Sequence, residues 1–182
     1  MKRWTLILTV FIALMVGMAM NLPVGQAESG QETIAIYVLE TVKAMRTVYA
    51  AAVIEKAKQD GVMPKEHWAK EDHAIMLPAQ FVKAVGREVR NFEIGLLGIH
   101  PLYKSNKPQT GREKEMLDLL ATGNKKVVTF SDGKQFKGMS ADFAILQGCA
   151  DCHNTHVNAT KKDWKIGDFM GAIIFRMADQ NF

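Results

Sequence analysis

Five consecutive residues late in the chain, Cys149-Ala150-Asp151-Cys152-His153, bring two thiols next to an imidazole. C-x-x-C-H is the spacing of covalent c-type haem attachment. Each thiol can add across one haem vinyl group to form a thioether. The short spacing lets both sulfurs reach neighbouring pyrroles of one flat ring. His153 is then carried under the porphyrin as an axial iron ligand. One imidazole nitrogen binds iron, and the other is oriented by a second polar group. Cys149 and Cys152 are the only cysteines, so no further disulfide framework and no second C-x-x-C zinc half-site can be built.

The same residues permit other chemistry. Zinc could take Cys149, Cys152 and His156 with one distant ligand, and the two thiols could form a structural disulfide. A thioredoxin-like pair belongs at a βα junction near the start of a βαβ unit, whereas this pair comes late, between strands. The adjoining histidine and an export signal favour one covalent haem c.

The motif leaves the other face of the iron open. His73, His100, Met45 and Met76 are the distal candidates, and a vacant or water-filled position is the alternative. Met45 falls on an apolar helical stripe, where methionine ordinarily packs. His67 and His73 fall in a loop, and His156 follows His153 too closely to reach the opposite face with ease. Arg46, Arg87 and Arg90 could pair with haem propionates. Tyr49 is expected either to line the haem pocket or to pack in the core with its hydroxyl hydrogen-bonded. The tryptophans require no functional role. No Ser-His-Asp grouping, phosphate-binding Gly loop or pair of carboxylates suited to acid-base work is evident, so the chain is not expected to be an enzyme.

These residues need a scaffold. At 182 residues the chain suits one domain after a leader. Residues 1–27 have the form of a signal peptide, with Lys2 and Arg3 ahead of an apolar run from Leu6 to Met20 and small residues before a cut after Ala27. The run is short for a membrane span. Export fits the motif, because bacterial haem is attached covalently outside the cytoplasmic membrane, and it makes the periplasm or another extracytoplasmic space the expected location. Losing the leader lowers the net charge from +4 to +2, too balanced to argue for nucleic acid.

Residues 28–182 alternate between two patterns. Gln31 to Asp60 reads as one long helix, opened by a capping box at Ser29-Gly30-Gln31-Glu32 and stopped by Gly61. Its expected inward residues are Ala35, Val38, Val42, Met45, Tyr49, Ala52 and Val53. A mixed loop follows. Ala79 to Phe92 reads as a second helix opened by Pro78, with Phe81, Val82, Val85 and Val89 inward. Ile94 to Ile99 is a short strand, and Arg112 to Leu120 a short helix that Gly123 can end. Lys126 to Phe130 and Gln135 to Ile145 flank Ser131-Asp132-Gly133-Lys134, a hairpin signal. The haem motif is expected in a loop, and Met170 to Met177 is a final buried strand.

Four stretches together resemble the PAS-like c-type haem domain, which occurs as a stand-alone exported protein and as the extracytoplasmic sensor of bacterial kinases, cyclases and chemoreceptors. They are Met45-Arg46-Thr47-Val48-Tyr49 with Val53-Ile54, Leu77-Pro78-Ala79-Gln80-Phe81-Val82, Cys152-His153-Asn154-Thr155-His156, and Asp163 to Ala172. The resemblance implies an α+β fold: a PAS-type antiparallel sheet with a long N-terminal helix and flanking helices, one haem between sheet and helices, and His153 axial. Where family members often have an Asn-Pro-rich loop, Pro101 to Pro108 keeps only the outer prolines and Asn106. At least one member uses a distal cysteine, a ligation excluded here by the lack of a third Cys.

The expected function is one-electron transfer by an exported monohaem cytochrome, with a separate redox protein as partner. The alternative is redox or gas sensing through a separate output protein. The end of the chain shortly after the last strand, with no kinase or cyclase domain, favours the first. No membrane association is expected after leader cleavage.

Overall fold

The computed structural model describes residues 30–179. The expected leader, its cut after Ala27 and Ser29 of the capping box lie outside them. Helix α1 (Gly30–Val48) runs into a π-helical segment (Tyr49–Ile54) and then α2 (Glu55–Gln59), so the long helix predicted from the sequence is there as one run. Gly61, at φ +80°, turns the chain out of it. Its buried face differs from the predicted one. Ala35, Leu39, Val42, Arg46, Ala50 and Ile54 point inward, while Met45, Ala52 and Val53 are exposed. Most of the buried positions are four apart. In an α-helix of 3.6 residues per turn that spacing drifts around the axis, and the wider π turn offsets the drift, keeping Arg46, Ala50 and Ile54 on one side.

The predicted loop that follows contains two short parallel strands, β1 (Met63–Pro64) and β2 (Ala74–Ile75). Helix α3 (Pro78–Glu88) has Pro78 at its first turn. The Gln80 side chain accepts from the Leu77 N–H at 3.0 Å and donates to the Glu66 carbonyl at 2.6 Å. The helix stops four residues earlier than predicted, because Val89 is already extended. Gly86 explains how closely it docks: a Cβ there would sit 2.5 Å from the Ile94 carbonyl oxygen.

Strands β3 (Glu93–Gly98), β4 (Val127–Asp132), β5 (Gln135–Phe143) and β6 (Phe169–Ala178) form an antiparallel sheet in the order β3-β6-β5-β4. The hairpin signal holds: Asp132 pairs with Gln135 across Gly133-Lys134, with Gly133 at φ +61°. Helix α4 (Gly111–Ala121) begins at Thr110, whose hydroxyl accepts from the Glu113 N–H at 3.1 Å. Helix α5 (Gln147–Thr155) carries the cysteine motif, which is therefore helical and not in a loop. Gln147 donates to Asp151 four residues on at 2.8 Å, and the Thr155 hydroxyl donates to the Asp151 carbonyl at 2.8 Å. These local bonds support a short helix that has little apolar pattern to announce it.

Alternation along the strands gives the sheet two covered faces. Leu39 and Val82, from α1 and α3, pack on one with Ile94, Phe136, Ile173 and Phe175. Met116, Leu117 and Leu120 of α4 pack on the other with Leu97, Phe130, Met139 and Ile174. That second face also carries a row of charge, with Arg176, Lys137 and Glu113 buried and Glu93 at the exposed edge. Glu93, Arg176 and Lys137 lie opposite one another on β3, β6 and β5. Glu113 of α4 accepts from Lys137 Nζ at 2.9 Å and from Arg176 Nε at 2.8 Å. Lys137 also donates to Asp132 at 2.8 Å.

Candidate functional site

Helix α5, the π segment, the start of α3 and the ends of β3 and β6 enclose a cleft of about 640 Å³, within the range of small-molecule and cofactor sites. Cys149, Cys152 and His153 all line it. Steps of three and four residues put all three side chains on one face of α5. Both thiols are free. Burial, then the Glu66 and Cys149 charges, push the Cys152 thiol up, the reverse of the lowered pKa that makes a thioredoxin-like cysteine reactive.

His153 is half-buried, and its Nδ1 is buried without a hydrogen-bond partner. Burial, then His156 and the Arg46 guanidinium, hold the ring below the ordinary histidine range, which favours neutral imidazole. An orphaned ring nitrogen costs about 1–3 kcal/mol, so the site gains when a group brought into the cleft fixes the imidazole tautomer.

The adjoining segment orients this residue. Asn154 donates to the Trp164 carbonyl at 3.0 Å and accepts from the Trp164 N–H at 2.8 Å. The Trp164 ring is buried and meets His153 edge-on at 6.1 Å and His100 at 5.9 Å. A tryptophan read from the sequence as without a role thus stands beside both imidazoles. The closeness of Asn154 to the motif and the place of Trp164 in the fourth family-like stretch were the available signals.

Among the sequence-predicted distal candidates, His100 lines the cleft; Met45, Met76 and His73 do not. Met45 borders a shallow apolar groove between α1 and α3. His73 is exposed in a turn at φ +51°. The Met76 carbonyl accepts from the Tyr49 hydroxyl at 2.8 Å. Tyr49 stacks on Phe81 at 4.5 Å and does not line the cleft, so its arrangement is the core-packing one.

Arg46 does line the cleft, yet it is tied to Asp142 at 3.0 Å, and both side chains are largely buried. Burial pushes the Asp142 carboxyl up against the opposing pull of Arg46 and Lys43. Arg87 and Arg90 are exposed and stand away from the lining. His156 is fully engaged: Nδ1 accepts from the Asn158 N–H at 3.0 Å, so in the neutral ring the proton is on Nε2, 3.1 Å from the Tyr103 hydroxyl and 3.4 Å from Glu66. Among the described residues no group of three or more His, Cys, Asp and Glu side chains is arranged to hold a metal ion.

Gly171 lines the same cleft and is irreplaceable on steric grounds, since a Cβ there would lie 1.9 Å from the Leu97 carbonyl oxygen. It is the second glycine of the Gly167-Asp168-Phe169-Met170-Gly171-Ala172 stretch.

The chain belongs to the Tll0287-like family, whose sequence profile matches residues 25–178, including all four stretches behind the family resemblance. The fold is similar to the crystal structure of a cyanobacterial heme-protein, Tll0287, with a TM-score of 0.59 at 10% identity, over 84% of this chain and 98% of that one. No curated protein matches the chain.

Proposed function

We propose that the chain is an exported monohaem c-type protein of PAS-like fold that transfers single electrons. One observation carries this reading: Cys149, Cys152 and His153 line one cleft from one face of one helix, with a buried ring nitrogen of His153 unpartnered. Membership of a family that includes a heme-protein supports it.

The residues fit the group. Cys149 and Cys152 would hold the group through thioethers, each thiol adding across one vinyl group with its hydrogen going to the neighbouring carbon, an addition that needs no oxidant. His153 would supply a nitrogen ligand to the iron, and Trp164, held by Asn154, would limit the tilt of the imidazole. Leu96, Leu97, Leu102 and Leu146 present apolar surface to a flat macrocycle. Haem held there supplies one-electron chemistry at iron, with a potential set by axial ligands and surroundings. His100, exposed and within 3.4 Å of the Thr160 hydroxyl, is the cleft-lining member of the distal candidates; a ligand from it would make the iron six-coordinate, the state that suits electron transfer over sensing.

Expression with export in a host that matures c-type cytochromes tests the reading. Absorption that survives acid-acetone extraction is the expected result, and a colourless product overturns it. The ferrous spectrum then separates the functions. A low-spin spectrum indifferent to carbon monoxide supports electron transfer, while a large immediate shift supports gas sensing.

A further inference from the structure

Six side chains lining the cleft belong to Lys, Arg, Asp or Glu residues: Arg46, Glu55, Lys58, Glu66, Lys83 and Asp142. Five have partners. Arg46 pairs with Asp142 at 3.0 Å, Lys58 with Glu55 at 3.1 Å, and Glu66 faces His156 at 3.4 Å. Lys83 makes no hydrogen bond or ion pair among the described residues. It is half-buried on the cleft side of α3, and both burial and the nearby Arg87 charge hold its amine below the usual lysine range. A partly dehydrated cation beside a like charge is a site for an anion. None of the three acids lining the cleft pairs with Lys83: Asp142 is held by Arg46, Glu55 by Lys58, and Glu66 faces His156, which leaves the Lys83 charge open to an anion carried by whatever enters.

We propose that Lys83 is the cation that receives a carboxylate of the cleft's ligand, namely a haem propionate. The assignment rests on the haem reading above. It adds Lys83 to the arginines expected from the sequence: Arg46 lines the cleft with Nη1 on Asp142 and Nε buried without a partner, while Arg87 and Arg90 face solvent. From α3 the four-carbon Lys83 stem can carry the ammonium to a propionate while its methylenes stay against apolar surface. Lys83 is therefore a positioning residue, acting on the ring's acidic edge and not on the iron.

The test is the reduction potential of purified haem-loaded protein, followed across about pH 5 to 8, where a propionate without its cation begins to titrate. A positive charge near the ring favours the reduced form, which carries one more electron. K83Q and K83M are expected to shift the potential down and make it more strongly pH-dependent, and K83R to restore wild-type behaviour. Glutamine and methionine are both good helix formers, which keeps α3 intact if one variant accumulates poorly. R87Q, losing the same charge from an exposed position on the same helix, is the control and is expected to move the potential far less. Loaded K83Q and K83M with a wild-type potential and pH profile, or matched by R87Q, overturn the assignment alone. A wild-type product without covalent haem overturns the haem reading, and the assignment with it.

Discussion

Asn154 binds both backbone polar groups of Trp164, its carboxamide donating to the carbonyl at 3.0 Å and accepting from the N–H at 2.8 Å. This two-point clasp joins the end of the cysteine-bearing helix to the loop before β6, with His153 as the neighbour of the clasping residue. Asn154→Ala leaves a buried N–H and C=O without partners, a loss of about 2 kcal/mol of stability. Urea unfolding followed by tryptophan fluorescence should show it. Haem attachment through Cys149 and Cys152 should persist, since neither thiol is touched.

His100 is the distal candidate that reaches the cleft. His100→Ala should convert a low-spin ferrous spectrum to high-spin and create a response to carbon monoxide. Met45→Leu, Met76→Leu and His73→Ala should leave both spectra as they are. If one of those three changes the spectrum and His100→Ala does not, His100 is not the ligand.

Gly171→Ala should be among the most damaging single substitutions. Its Cβ would meet the Leu97 carbonyl oxygen at 1.9 Å, a backbone contact that no side-chain rotation relieves. A loss of about 3 kcal/mol or more is expected, read as a lower urea midpoint or as failure to accumulate folded protein.

Acid stability should reflect Glu113 and Asp132. Burial pushes Glu113 up, but hydrogen bonds from Arg176, the Gln109 N–H and Lys137 overcome it and hold the carboxyl below its usual range. Hydrogen bonds from Lys137 and Thr110 lower Asp132. A depressed folded-state pKa stabilises above the unfolded value, near 4.5 for Glu and 3.8 for Asp, and that contribution is lost as pH falls through the folded value. Asp142, raised by burial, has the opposite sign and partly offsets this as it takes up its proton. Glu113→Gln should cost about 3–5 kcal/mol at neutral pH by leaving two buried cations poorly matched. It should also flatten the decline in stability below about pH 4.5, measurable by urea unfolding at several pH values.

Local chemistry was readable in the sequence. Asp132-Gly133 announced the hairpin, Gly61 and Gly123 marked helix ends, and the motif cysteines marked the cleft, because each depends on residues close in sequence. The inward face of α1 was not readable. Met45 and Val53 look like core residues and Arg46 like a surface one, but Arg46 is buried by an acid on β5, far along the chain, and the π turn redirects the face. Lys83 was passed over for a related reason. What distinguishes it is its place on the cleft wall without a carboxylate partner, which exists only after folding.

The charged row across β3, β6 and β5 has a consequence for how the sheet assembles. Sliding one strand by a single residue sends every side chain to the opposite face. A slip of β6 would carry Arg176 over to the face of Leu39, Val82 and Phe136, away from Glu113. Along β6 apolar residues alternate with other apolar residues from Ala172 to Phe175 and would tolerate such an error, whereas an unmatched buried cation would not. The row thereby acts as proofreading for strand alignment, rejecting neighbouring registers that the hydrophobic pattern alone would accept.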